Sequence, residues 1–221
     1  MPQRRLPRTN SARDRALSAC KAKMDITDPA NLPFNASKAS QLTGSEAFYK
    51  GLINASNQAK YNQTMQSGVV APLRTKARMW VNHGYQALIN ACLRGQFDKQ
   101  TRVLYGVPVT SNAAPEMNTD EAIFQTAELY NTGENARVLA GGLEISFPSL
   151  IDINTQVDDF KAAVNTQSTL KDAYDAAQED LAAANTQTDL FILQLWNSIE
   201  AAYDTGDKPS LRRKAREWGV G

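Results

Sequence analysis

Residues 150–203 read LIDINTQVDDFKAAVNTQSTLKDAYDAAQEDLAAANTQTDLFILQLWNSIEAAY, a stretch with neither glycine nor proline. Val157, Phe160, Val164, Tyr174, Leu181, Ile192, Leu195 and Ile199 follow a three- and four-residue spacing, the signature of one apolar stripe on an α-helix. Gln167, Lys171, Gln178, Asn185 and Thr188 fall on the same seam, more polar positions than a sustained coiled coil tolerates. Two readings follow. One is a single helix of roughly 75–80 Å at 1.5 Å per residue. The other, which we favour from the sequence, is two helical segments meeting near 184–188, collinear or folded back, with Thr188 and Asp189 as caps of the second.

Upstream, Leu73, Ala77, Trp80, Val81, Gly84, Leu88, Ile89 and Cys92 form a broad stripe at helical spacing, with Pro72 suited to the first turn and Gly95 to the residue past the end. Gly84 inside that helix costs about 1 kcal/mol against alanine, so a neighbour packed closely there is expected. A separate helix is predicted from Thr43, where Thr43 and Glu46 fit a capping box, fading at Ser67-Gly68. Near the start, Thr9 or Asn10 caps a helix whose face is Ala12, Ala16, Leu17, Cys20 and Met24, ending before Asp28-Pro29. A short turn at 99–104, a loop from Ser111 to Met117, and a helix capped at Asn118 or Thr119, bending at Gly133 and ending at Gly141-Gly142, complete the middle. Ser210 can cap a short basic helix in the tail. The expected fold is all-α: an elongated bundle of four to five helices, with long C-terminal segments and basic terminal arms. Its divisions are a basic arm and short helix over 1–34, a bundle over 35–206 and a basic tail over 207–221.

Charge is placed unevenly. The total is +1, but residues 1–23 carry +6 and residues 207–221 carry +3, leaving −8 for the middle. Basic ends on an acidic body imply contacts by charge complementarity. The candidate interaction residues are Arg4, Arg5, Arg8, Arg212, Arg213, Lys214, Arg216 and Trp218. They suit docking onto the acidic body of another copy, and they also suit phosphate backbones, with Trp218 as a base-stacking ring. The near-neutral total disfavours a dedicated nucleic-acid binder. Removing residues 1–10 or 211–221 is expected to leave a folded monomer.

Catalytic patterns do not emerge. His83 is the one histidine, with no orienting partner in view, and reads as structural or surface. Asp158-Asp159 and Glu179-Asp180 read as solvated helix faces. Gly141-Gly142 lacks the spacing and lysine of a phosphate loop, and no nucleophile elbow is present. Cys20 and Cys92 lie on apolar helix faces without ligand spacing, so no metal or other cofactor is expected. No apolar run reaches the length of a membrane span, and the basic start lacks an apolar stretch behind it, so a cytoplasmic protein without membrane partners is expected.

Two stretches carry a resemblance. Met79-Trp80-Val81-Asn82-His83-Gly84-Tyr85-Gln86-Ala87-Leu88-Ile89-Asn90, running on to Arg94-Gly95 and Tyr105-Gly106-Val107, is one; Arg212-Arg213-Lys214-Ala215-Arg216-Glu217-Trp218-Gly219-Val220, with Leu6-Pro7-Arg8-Thr9, is the other. Together they resemble an uncharacterised family of bacterial helical proteins of similar length. The resemblance implies an all-helical fold and transfers no activity or site residue. The expectation is a non-enzymatic structural protein that self-associates into an oligomer or filament. A nucleic-acid-binding accessory protein or an adaptor for another protein is the alternative.

Overall fold

The computed structural model describes residues 6–204 and 206–220. Among them the chain is all-α: α1 (Asn10–Asp25), α2 (Ala36–Leu93), α3 (Asp120–Leu139), α4 (Leu150–Tyr203) and α5 (Lys208–Glu217), with 3-10 turns at Pro29–Asn31 and Lys99–Tyr105. Arg4 and Arg5 lie outside the described residues.

Two sequence expectations are corrected. α4 is one helix of 54 residues, not two segments meeting at 184–188. The polar seam does not interrupt it, and three of its residues find partners on α2. Asn185 accepts the Tyr49 hydroxyl at 2.7 Å, Gln167 donates to Ser67 Oγ at 2.9 Å and Gln178 donates to Ser56 Oγ. Thr188 is a buried mid-helix residue rather than a cap. Likewise α2 is one helix of 58 residues, not two with a break at 67–72. It starts at Ala36, where the Asn35 side chain accepts from the Lys38 amide at 3.0 Å, while Thr43 turns its hydroxyl back to Ala39 O. Pro72 sits inside it. A proline ring crowds the carbonyl four residues upstream and deletes one hydrogen bond. That upstream residue is Gly68, exposed and with open space around it. Val70 and Ala77, on either side of Pro72, stay buried in one core, and their burial keeps the helix continuous.

The core divides into two compact units, residues 1–61 with 172–221 and residues 62–171, with both boundaries inside α2 and α4. In the first unit, α1, α5, the start of α2 and the end of α4 enclose Leu17, Cys20, Leu42, Tyr49, Ile192, Leu195, Trp196, Ile199 and Trp218. The α2 and α4 segments run antiparallel, as the pairs Lys38–Ser198, Tyr49–Asn185 and Ser56–Gln178 show.

In the second unit, α3 and the 99–105 turn pack on the end of α2 and the start of α4 around Val81, Tyr85, Leu88, Tyr105, Tyr130, Ile153 and Phe160. The expected close approach at Gly84 is present: a Cβ there would lie 2.6 Å from Ile153 Cδ1 and 2.9 Å from the Tyr130 ring. Gly133 makes a second one, against the Tyr105 ring and Leu104 O, and α3 continues through it to Leu139. Beside it Arg137 and Glu134 form a buried pair at 2.6 Å, closed by Tyr105 and by the Ile145 amide, which donates to Glu134 Oε1 at 2.8 Å. Burial pushes the hydroxyls of Tyr85, Tyr105 and Tyr130 well above the ordinary tyrosine range.

Candidate functional site

The basic C-terminal stretch is a helix with two different faces. Asp207 precedes it, Pro209 occupies its first turn, and Lys214 and Arg216 sit in its last turn, where cations complement the helix dipole. One face is apolar. Ala215 and Trp218 are buried, Val220 follows them inward, and the Trp218 ring meets Phe34 edge-on at 5.6 Å. The indole N–H donates to the Tyr203 hydroxyl at 3.2 Å. Gly219, at φ +77°, comes so close to α1 that a Cβ would lie 2.9 Å from Ala19 Cβ. A side chain would be strained in that backbone conformation and would also clash.

Trp218 was expected on the interaction surface. At 1% exposure it is instead a core residue, so it offers no ring to a partner. The tail is not a free arm. Its tryptophan, the largest side chain in it, anchors it to the first unit.

The other face is cationic. Arg212, Arg213, Lys214 and Arg216 are exposed. Lys214 lies over the Tyr203 ring at 5.3 Å. Glu217 pairs with Lys23 of α1 at 3.0 Å, and this lysine, helped by Arg213 and Lys214, holds the carboxyl below its ordinary value. Arg212, Arg213 and Arg216, with Pro209 and Glu217, line a shallow concavity. Among the described residues none of these three guanidinium groups is in an ion pair.

At the other end of the chain Arg8 and Arg15 are exposed, whereas Arg13 is buried. Its guanidinium grips Asp189 with two hydrogen bonds of 2.7 and 2.8 Å, which raises its pKa. One contact between a basic end and the acidic body is therefore made within the chain. Sequence reasoning missed it because Arg13 and Asp189 are 176 positions apart. The acidic surface left on α4 in this unit includes Asp172, Glu179 and Asp180, all exposed, with Asp172 and Glu179 one heptad apart on a single face.

His83 is exposed on α2, as are Asp158 and Asp159 on α4. Among the described residues no three of His, Cys, Asp and Glu come together in a way that could hold a metal ion. In the first unit a groove of ≈ 660 Å³ lies between α2 and α4, with Phe48, Leu52, Leu190 and Phe191 along it. No helix among the described residues is long and apolar enough to cross a membrane.

No family model matches the chain, nor does any curated protein or solved structure.

Proposed function

We propose that the protein is a non-enzymatic assembly protein, and that the outward face of α5 is its electrostatic docking surface for the acidic α4 face of a second copy. The observation that carries this reading is the rigid mounting of three arginines without ion-pair partners among the described residues. The buried Trp218 and Ala215 fix the helix, so Arg212, Arg213 and Arg216 are displayed without the ordering cost of a flexible tail. Asp172, Glu179 and Asp180 supply the complementary charge. Basic and acidic faces lie at different places on one unit, so the contact is head-to-tail and can repeat along a chain of copies. Each exposed pair is worth about 0.2–1 kcal/mol, so several together give weak, salt-sensitive association.

The same face would accept phosphate groups, which keeps a nucleic-acid strand as the second reading. Its support is reduced by the burial of Trp218, which removes the stacking ring. A cytoplasmic setting fits two free, buried cysteines.

The test is the triple substitution R212A/R213A/R216A, which leaves the buried face of α5 intact. Loss of the salt-sensitive part of the association in this variant is the expected outcome. Association equal to that of the parent chain disposes of the reading. Binding of single-stranded nucleic acid by a monomeric parent, lost in the variant, replaces it with the second.

A further inference from the structure

The second unit carries an apolar surface that the electrostatic reading does not use. Between the end of α3 and the start of α4, Leu139, Leu143, Phe147 and Ile151 are 88%, 84%, 72% and 77% exposed. Side chains of this kind dominate interface energetics when buried and are not left this bare in one short stretch without consequence. At roughly 200 Å² per large apolar side chain, these exposures amount to about 600 Å². That is the upper end of the about 300–600 Å² found for the largest apolar patch on a monomer. It is also most of the about 800 Å² that each partner gives to a standard interface. Phe147 is held in place edge-on by Trp80 at 6.2 Å, so the protrusion is braced rather than loose.

The same stretch borders a concavity. Phe97, Leu104, Leu143, Thr101, Arg137 and Gly142 line a cavity of ≈ 420 Å³, large enough for an apolar side chain. Its one cation is already paired within the unit. Arg137 pairs with Glu134 at 2.6 Å and stacks on Phe97 at 4.3 Å, and the Asp98 carboxylate accepts the Gln100 amide at 2.8 Å. One donor is left over. Arg137 Nη1 is buried and without a hydrogen-bond partner, beneath Gly142, where an added Cβ would lie 3.0 Å from it.

We infer that a second copy of this chain docks on this surface, the apolar 139–151 stretch of each copy covering the cavity of the other. Protrusion and cavity lie on one unit, so a two-fold arrangement uses both at once and closes. Arg137, already paired with Glu134, is not available to draw in an anionic group, and the exposed Glu144 within the stretch opposes docking on anionic lipid headgroups. This contact is apolar and independent of the α5 face.

Sedimentation equilibrium of the full chain at about 0.5 M salt, where screening is nearly complete beyond about 4 Å, isolates it from charge-mediated contacts. The parent chain is expected to be a dimer at tens of micromolar. L139E and F147E, at exposed positions, are expected to weaken that dimer by about 30-fold or more, the loss of a hot-spot contact. The triple arginine variant is expected to leave it unchanged. A monomeric parent at high salt overturns the inference, as does a dimer indifferent to both glutamate substitutions. A monomer that co-sediments with phosphatidylcholine vesicles and loses this with F147E also overturns it, in favour of a lipid surface.

Discussion

At the scale of single residues, close approach and burial set what each position tolerates. Gly84 and Gly133 both lie inside helices, where alanine has the better propensity by about 1 kcal/mol. An added Cβ would meet a buried tyrosine ring at both, Tyr130 at 2.9 Å and Tyr105 at 2.6 Å, but the other neighbour at Gly84 is the flexible end of Ile153, whereas at Gly133 it is the Leu104 carbonyl oxygen at 2.8 Å. Gly133→Ala is therefore expected to destabilise by about 1–3 kcal/mol and Gly84→Ala by less, read as shifts in urea midpoint. Equal effects would mean the 99–105 turn yields as easily as a side chain. Burial raises the Cys20 thiol from 9.0 to about 12. The unfolded chain loses that proton near pH 9 while the folded chain keeps it, so stability falls as pH rises from about 9 to 12 and is unaffected by this group below 9. Cys20→Ala should reduce that slope by at most about 1.4 kcal/mol per pH unit, with urea unfolding between pH 8 and 11 as the measurement. An unchanged slope would place the thiol in water. The tight contact at Gly84 and the apolar face holding Cys20 were legible from sequence, whereas the close approach at Gly133 was not, because it depends on Leu104 and Tyr105 in a separate turn.

Among the helices, the apolar stripes over 73–92 and along α4 were read correctly and the interruptions were not. Val81, Leu88, Ile192, Leu195 and Ile199 are buried as their spacing predicts. Gly68, Pro72 and the polar run at 184–188 read as breaks because each is locally unfavourable, yet α2 and α4 pass through them. Propensity is a local quantity, while Tyr49–Asn185 and Ser67–Gln167 join residues that only the fold brings together. Pro72 is exposed within a continuous α2, so Pro72→Ala should stabilise the chain, by up to about 3 kcal/mol, in thermal or urea unfolding. Destabilisation instead would show that the proline sets a local geometry the packing needs. α5 gives the opposite case. Its basic face suggested a free tail, but Trp218 is buried against Phe34. Removal of residues 211–221 is thus expected to damage the first unit rather than release a folded monomer. Trp218→Ala should cost about 3–5 kcal/mol. A loss below about 1 kcal/mol in urea unfolding would mean the helix is only loosely attached.

For the molecule as a whole, the uneven charge seen in the sequence has two fates. Part is spent internally, in Arg13–Asp189 and Lys23–Glu217. Arg212, Arg213 and Arg216 stay on the surface, as do Asp172, Glu179 and Asp180 of α4. This remainder supports electrostatic association, while the bare 139–151 stretch supports an apolar contact that salt does not weaken. The most direct test of the central claim is the solution mass of the full chain at low and at high salt, beside the R212A/R213A/R216A variant. Assemblies larger than a dimer are expected at low salt for the parent, reduced by high salt and absent in the variant at either. A parent whose mass is the same at both salts, or a variant that assembles as the parent does, would contradict it.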